Sequence, residues 1–279
     1  MLRNSDIVKR TGFGLIFLAV MVGGLMCRFG FLSLMLVIML GCMNEFHVLS
    51  LGKGVAVPQR ILAMISGALM LVLTFLACMD VICVRWTALT LLPLILMPVS
   101  FIFTGTTGKM EQLTPIYTSI AYIAIPIALS PFIVFSEGVY GYRLILSLFI
   151  LIWMSDSGAY CVGSTLGRKE WAGRMSPNIS PKKSWCGFWG SIVAGALTGA
   201  VLNRLGMLGL PLVHCIAVGI LIAVSSVCGD LIESMWKRKF GVKDSGNVIP
   251  GHGGFLDRFD SSLTSIPLAA VYLMIFNLI

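Results

Sequence analysis

The chain is a succession of apolar runs, each roughly as long as a membrane-spanning helix, separated by short polar segments. About 20 consecutive apolar residues are needed for a helix to cross the hydrocarbon core of a bilayer. By this measure we count about nine candidate helices, near 12–27, 30–50, 61–79, 86–104, 115–135, 143–166, 185–203, 208–236 and 262–279. The pattern predicts an all-α, polytopic integral membrane protein.

Composition agrees with this class. Hydrophobic residues make up 57% of the chain, charged residues only 11%, and the mean hydropathy is +0.95. A net charge of +8 in a soluble domain would suggest a nucleic-acid partner. Here the cations lie in loops between apolar runs, so we expect them to set membrane topology and bind phosphates, and we expect no nucleic-acid partner.

The cations are unevenly distributed between the loops. If the N-terminus is cytoplasmic and nine helices follow, one side carries 16 of the 20 Lys and Arg residues and the other side carries 4. Loops rich in Lys and Arg tend to stay in the cytoplasm. The asymmetry predicts a cytoplasmic N-terminus in a cell membrane of the bacterial inner-membrane type. It also places the polar loops 167–184 and 237–261 on the cytoplasmic face.

Residues 1–279 are expected to form a single membrane domain. Residues 1–140 carry few charges within their apolar runs and are assigned to scaffold and lipid-facing helices, whereas residues 141–279 hold the polar segments and are assigned to the catalytic part. The eight cysteines form no C-x-x-C pair, and the three histidines are scattered. This spacing predicts neither a disulfide framework nor a His/Cys metal cluster.

Three polar segments interrupt the C-terminal runs. In the first, Asp156 lies within an apolar run of helical length. An ionisable residue at membrane depth usually faces the protein interior or a water-filled path. The alternative is a carboxylate that caps a helix or binds a neighbouring Ser or Tyr, and the sequence leaves both open.

The second segment, Ser180-Pro-Lys-Lys-Ser-Trp-Cys-Gly-Phe-Trp-Gly190, ends a basic loop and opens an apolar run. Pro181 is tolerated at the start of a helix, where free N–H groups would add positive potential to Lys182 and Lys183. This arrangement predicts a phosphate-binding cradle. The alternative is a basic membrane anchor with Trp185 and Trp189 in the aromatic belt.

The third segment begins at Asp230 and Glu233, which share a helical face with Ser226 and Ser234. Glu233 could form an ordinary ion pair with Lys237 four residues later, but Asp230 has no comparable partner nearby in the sequence. Cations follow at 237–239 and 243, and the glycines of 251–254 allow backbone amides to surround an anion. Asp257 and Asp260 come next, and they share a face if the chain is helical there. Carboxylates without soft ligands indicate a hard metal such as magnesium.

These residues resemble a known family. The pattern Ser234-x-x-Lys-Arg-x(4)-Lys-Asp-x-Gly-x-x-x-Pro-Gly-His-Gly-Gly-x-x-Asp-Arg-x-Asp-Ser261 is similar to the C-terminal signature of the phosphatidate cytidylyltransferases, or CDP-diacylglycerol synthases. Asp156 with Ala159-Tyr160, Ser180-Pro-Lys-Lys-Ser-Trp and Gly229-Asp-Leu-x-Glu-Ser234 resemble other motifs of that family in the same order. The resemblance covers about residues 153–265.

The resemblance implies transfer of CMP from CTP to phosphatidic acid, giving CDP-diacylglycerol and pyrophosphate in phospholipid biosynthesis. It implies magnesium, with a second cation left open, and membrane lipid as a further partner. The sequence leaves the oligomeric state open, with a homodimer as one alternative. The implied catalytic residues are Asp230, Asp257, Asp260, Lys243 and His252, and the implied metal ligands are Asp230, Asp257, Glu233 and Asp260. The implied substrate-binding residues are Ser180, Lys182, Lys183, Lys237, Arg238, Asp244, Gly253, Gly254, Arg258 and Asp156.

One position departs from the family pattern. After Ser-Pro-Lys-Lys-(Ser/Thr)-x the family usually has Glu-Gly, whereas this chain has Cys186-Gly187. A neutral thiol replaces neither a carboxylate ligand nor a partner for lysine, which puts the strength of the activity in question rather than its type.

Two other functions fit parts of the pattern. A CTP-dependent lipid kinase, or a nucleotidyltransferase acting on another lipid phosphate, would use the same phosphate-binding residues. A cation-coupled transporter would also place Asp156, Asp230 and Glu233 in the membrane, but it would not need a loop rich in glycine and lysine.

Overall fold

The computed structural model describes residues 4–103, 107–167, 169, 172–246 and 253–279. The long helices are α1 (Asn4–Leu25), α2 (Arg28–Leu51), α3 (Val57–Cys78), α4 (Leu91–Phe103), α8 (Tyr142–Thr165), α9 (Trp185–Arg204), α10 (Leu212–Lys239) and α11 (Leu256–Ile275). Shorter helices are α5 (Leu113–Ser119), α6 (Ile125–Ala128) and α7 (Pro131–Val134), with 3-10 turns at Val84–Thr90 and Thr107–Gln112 and a π turn at Ile120–Ala124. The strands are β1 (Phe135–Ser136), β2 (Val139–Tyr140), β3 (Arg174–Ser176) and β4 (Ser180–Ser184).

In the part of the chain that the structure describes, seven helical segments are long and apolar enough to cross a membrane. They are Arg28–Leu51, Val57–Cys78, Val84–Phe103, Met110–Val134, Tyr142–Thr165, Trp185–Arg204 and Leu212–Lys239. The prediction of an all-α, polytopic membrane protein is therefore confirmed. The count of nine spans and the cytoplasmic N-terminus stay predictions.

Large side chains fill the core between the N-terminal helices. Phe31, Met39 and Phe46 of α2 are fully buried, and Phe75 of α3 stacks on Phe31 with 6.3 Å between the ring centroids. Bulky residues keep the helix axes apart and fill the space between them. This half is held together by side-chain volume.

Small residues, in contrast, line the contacts among α8, α9, α10 and α11. A Cβ built on Gly195 of α9 would lie 2.4 Å from the carbonyl oxygen of Gly219 on α10, and one built on Gly229 would lie 2.6 Å from the carbonyl oxygen of Asp260 on α11. Small residues let helix backbones approach closely, as in many membrane helix pairs. The close packing brings the polar residues of these four helices toward one place.

An antiparallel hairpin of β3 and β4 precedes α9, with Arg174 opposite Ser184 and Ser176 opposite Ser180. The expectation that Pro181 begins a helix is wrong, because Pro181 lies in β4 and the helix starts at Trp185. Ser184 caps α9 instead, since its hydroxyl accepts a hydrogen bond from the N–H of Gly187 at 3.2 Å. The lysines thus lie on a strand that leads into the helix.

The last helix starts earlier than its apolar run. The sequence places this span at 262–279, but α11 begins at Leu256, so its first turns contain Asp257 and Asp260. Because the chain is helical there, Asp257 and Asp260 share a face of α11.

Candidate active site

A cavity of about 790 Å³ lies among α8, the β3–β4 hairpin, the start of α9, α10 and α11. Its wall contains four carboxylates and three cations, together with small and aromatic residues. They are Asp156, Asp230, Asp257 and Asp260, and Arg174, Lys182 and Lys183. The volume is in the usual range for small-molecule sites. Every motif of the C-terminal half that the sequence singled out thus contributes to this wall.

Asp230 and Lys183 join the helix α10 to the lysine strand β4. Their side chains form an ion pair with 2.8 Å between Lys183 Nζ and Asp230 Oδ2, and Lys183 also donates to the carbonyl oxygen of Val227 at 3.3 Å. The hydroxyl of Ser234 donates to Asp230 Oδ1 at 3.2 Å. The sequence offered no nearby partner for Asp230 because that partner comes from a different element.

Asp156 lies inside α8, which runs from Tyr142 to Thr165. It therefore caps no helix, and its carboxylate faces the cavity. This position agrees with the polar path, but the side chain also interacts with Ser226 and Ser261, so the role of Asp156 stays a prediction. In the neighbouring segment Lys182 and Lys183 line the cavity while Trp185 and Trp189 are exposed on α9, so both interpretations stay predictions.

Asp257 is held by four hydrogen bonds. Oδ1 accepts from Lys237 Nζ at 2.9 Å, and Oδ2 accepts from the N–H of Gly254 at 2.9 Å, the N–H of Ser245 at 3.0 Å and the hydroxyl of Ser245 at 2.9 Å. Burial raises the pKa of Asp257, but the hydrogen bonds from Gly254 and Lys237 outweigh burial and lower the pKa to about 2. The group is an anion at neutral pH, and it fixes the loop before α11.

Lys237 forms ion pairs with both Glu233 and Asp257. Glu233 is 1% exposed and does not line the cavity. The pairing of Glu233 with Lys237 that the sequence suggested is therefore present, but it is part of a bridge from α10 to α11. In this position Glu233 orients the lysine from behind the cavity wall.

Other predicted residues lie farther from the cavity. Arg238 donates from Nε to the carbonyl oxygen of Ile179 at 3.3 Å, which ties the end of α10 to the β3–β4 turn. Ser180 lies in β4, and Lys243, Asp244 and Arg258 are exposed positions that the cavity wall does not include. His252 lies outside the described residues.

Two of the glycines of the signature serve close packing. Gly253 has a φ of +85°, a conformation that residues with a Cβ rarely adopt. A Cβ on Gly253 would lie 2.7 Å from Asp257 Oδ2, and a Cβ on Gly254 would lie 2.2 Å from Glu45 Oε2. Both glycines hold the backbone against a carboxylate.

The carboxylates of the cavity wall suit a magnesium ion that is bound together with a phosphate ligand. Among the described residues, no group of three or more His, Cys, Asp or Glu side chains is arranged to hold a metal by itself. Magnesium, however, is usually bound by one or two carboxylates together with substrate phosphates and water. Hard oxygen donors on a wall that also carries lysines suit a cation that arrives with a phosphate ligand.

Three residues at or near the site are not among those that the sequence predicts. Arg174 of β3 lines the cavity, whereas its place in a basic loop predicts only a contribution to membrane topology. Ser245 binds Asp257, and Glu45 of α2 accepts hydrogen bonds from the start of α11. Glu45 could have been found, because it interrupts the apolar run 30–50 just as Asp156 interrupts a later one.

Fold and site together define a polytopic membrane protein with a cavity lined by carboxylates and lysines among its C-terminal helices. Residues 8–276 match the model of the cytidylyltransferase family, and the chain belongs to that family.

Curated relatives are similar to part of this chain. The phosphatidate cytidylyltransferase of Bacillus subtilis is 40% identical over 138 residues, which are 50% of this chain and 50% of that protein. The phosphatidate cytidylyltransferase of Haemophilus influenzae is 35% identical over 193 residues, or 68% of this chain and 66% of that protein. The one from Rickettsia bellii is 34% identical over 165 residues, or 57% of this chain and 70% of that protein. The chain thus spans about half the length of the Bacillus relative that it matches.

Proposed function

We propose that the protein is a phosphatidate cytidylyltransferase that transfers CMP from CTP to phosphatidic acid and releases pyrophosphate. The observation that carries the proposal is the cavity wall, which contains Lys182, Lys183 and Arg174 together with aspartates of α8, α10 and α11. Cations suit the phosphates of both substrates, and carboxylates suit their metal ion. Family membership and the names of the relatives agree with this activity.

The reaction needs positioning more than a protein nucleophile. A phosphate oxygen of phosphatidic acid attacks the α-phosphorus of CTP, the new P–O–P bond forms, and the bond to the β-phosphate oxygen breaks as pyrophosphate leaves. Because the attacking phosphate is already an anion at neutral pH, no general base is required. Lys182 and Lys183 hold phosphate oxygens and stabilise the charge that develops on the leaving group.

Asp230, Asp257 and Asp260 would hold magnesium together with phosphate oxygens, and Glu233 would act through Lys237. Bound magnesium supplies charge neutralisation at the phosphates. Arg238, Lys243, Asp244 and Arg258 are proposed to bind the phosphates from the outer part of the loop, with His252 as a donor to phosphate.

Location and assembly belong to the same proposal. The protein would act in the cell membrane with its cavity open to the cytoplasm, where CTP is found, and residues 1–140 would serve as scaffold. The excess of Lys and Arg in the predicted cytoplasmic loops supports this orientation. The homodimer stays a prediction that a mass measurement in detergent would test.

The activity can be tested with purified protein, magnesium, phosphatidic acid and CTP labelled at either the α- or the γ-phosphate. We expect the α-label in a liponucleotide and the γ-label in pyrophosphate. A γ-label in the lipid would instead establish a lipid kinase. No transfer of either label would contradict the proposal and favour transport.

The site is tested in the same assay by Asp230→Asn. This change removes a carboxylate charge from the cavity and the ion pair to Lys183, so we expect turnover to fall by roughly 100-fold or more. Asp80→Asn is the matched control, because Asp80 is exposed and does not line the cavity. Equal turnover in the two variants would remove the metal assignment from Asp230.

A further inference from the structure

Glu45 of α2 is a buried carboxylate in the half of the chain that has no part in the cavity wall. It is 6% exposed. Oε1 accepts the N–H of Phe255 at 2.9 Å, and Oε2 accepts the N–H of Leu256 at 2.9 Å and lies 3.2 Å from the hydroxyl of Ser245. All three donors belong to the loop and helix that carry Asp257.

The start of α11 needs such an acceptor. The first N–H groups of a helix have no partner within the helix, and they are usually satisfied by a Ser, Thr, Asp or Asn at the N-cap. The N-cap residue here is Phe255, which has no acceptor in its side chain. Glu45 takes this role from another helix, and its negative charge suits the positive end of the helix dipole.

Contacts around Glu45 leave it little freedom. One turn earlier on α2, a Cβ on Gly41 would lie 2.8 Å from the ring of Phe255, so that ring packs directly on the helix backbone. A Cβ on Gly246 would lie 2.7 Å from Glu45 Oε1, and one on Gly254 would lie 2.2 Å from Oε2. The loop is folded tightly against the carboxylate.

Ser245 connects Glu45 to the cavity. Its hydroxyl lies 3.2 Å from Glu45 Oε2 and 2.9 Å from Asp257 Oδ2. Asp257 also follows Leu256, whose N–H is bound by Glu45. Movement of Glu45 would therefore move both the backbone and a hydrogen-bond partner of Asp257.

We propose that Glu45 is a positioning residue that fixes the start of α11 and thereby directs Asp257 into the cavity. The geometric part of this proposal stands on the contacts above. Its kinetic consequence rests on the proposed cytidylyltransferase function.

The local effect is tested by hydrogen exchange of the full-length protein in detergent. Glu45→Ala should speed exchange in peptides that contain Ser245, Phe255 and Leu256 by roughly ten-fold, which is typical for loss of a helix cap. The control is Ser119→Ala, which removes a different buried hydrogen bond of α2, the one between His47 Nε2 and Ser119 Oγ at 2.7 Å. It should leave exchange in those peptides unchanged. If Glu45→Ala does not fold, Glu45→Gln keeps the side-chain volume and serves in its place.

A double-mutant cycle tests the contact itself. Gly246→Ala places a methyl group against the Glu45 carboxylate and should speed exchange in the same peptides. In the Glu45→Ala background that methyl group meets no carboxylate, so the second change should add little. Additive effects of the two substitutions would contradict the proposal.

Kinetics separate positioning from general stability. Glu45→Ala should lower kcat and raise the magnesium concentration needed for half-maximal activity, whereas Ser119→Ala should change neither for folded protein. Unchanged exchange in Glu45→Ala would overturn the proposal whatever the activity. If the wild-type protein makes no liponucleotide, the proposed function fails, and the exchange measurements still decide the role of Glu45.

Discussion

Helices α2 and α3 pack through large side chains, whereas α8 to α11 pack through residues that have almost none. Phe31 and Phe75 stack in the N-terminal core, and Gly195 and Gly219 bring backbones together in the C-terminal one. Polar groups differ in the same way. Buried Arg60 binds the side chain of Asn44 at 3.3 Å and the backbone of Gly52, but Lys183 and Asp230 face a cavity. The polar contacts of Arg60 lie within the packed N-terminal half, whereas the ion pair of Lys183 and Asp230 lies on the wall of a cavity.

Glu45 is an exception to this difference between the N-terminal and C-terminal halves. Glu45 lies in the N-terminal half, 210 residues before Phe255 in the sequence. Its carboxylate nevertheless accepts a hydrogen bond from the Phe255 N–H at the start of α11. Residues of the N-terminal half therefore contribute to more than their own packing. They set the starting point of the helix that carries two of the cavity carboxylates.

The largest expected effect distinguishes a charged residue of the cavity wall from a charged residue buried in the N-terminal half. Lys183→Met removes the cation that pairs with Asp230, and we expect turnover to fall by roughly 100-fold or more with little loss of folded protein. Arg60→Met should lower the melting temperature but leave the turnover of folded protein near normal. Turnover per folded molecule in the cytidylyltransferase assay, with the folded fraction from size-exclusion chromatography, measures both. A large loss of turnover per folded molecule in Arg60→Met would contradict this distinction between the two halves.

The sequence predicts some of these features well and others poorly. Apolar runs locate the transmembrane helices because lipid requires a long apolar segment. Hydropathy misses the first turns of α11, where Asp257 and Asp260 are helical but polar. It also misses the β3–β4 hairpin, because its two strands are short and most of their residues are polar.

Contacts between distant elements were beyond the reach of sequence patterns. The partner of Asp230 lies on β4 and that of Phe255 lies on α2, and no local spacing encodes either pair. The types of residue in the candidate site could be predicted from the motifs. Which carboxylate meets which cation depends on helix packing.

A medium-sized effect should follow from adding a methyl group between the C-terminal helices. A Cβ on Gly219 would lie 2.3 Å from the carbonyl oxygen of Gly195, and backbone atoms cannot swing aside. We expect Gly219→Ala to destabilise the protein by about 1–3 kcal/mol, as overpacking usually does. Gly23→Ala in α1 has nothing within 4 Å of the new methyl group and should be neutral or slightly stabilising. Thermal unfolding in detergent compares the two, and equal melting temperatures would show that close packing does not distinguish the halves.

The smallest effect concerns Cys186, where the related pattern usually has a glutamate. Cys186 lies in the first turn of α9, which contains no acidic residue, and it is not part of the cavity wall. A carboxylate there would face the positive end of the helix dipole, so we expect Cys186→Glu to stabilise the protein by about 0.3–1 kcal/mol. Turnover should be kept or modestly raised, because Lys183 of β4 already has Asp230 as a partner. Cys186→Ser is the neutral control for loss of the thiol. A clear loss of turnover in the glutamate variant, with the serine variant unaffected, would mean that the start of α9 is built around a small neutral residue. This part of the C-terminal half would then tolerate added charge as poorly as its glycines tolerate added volume.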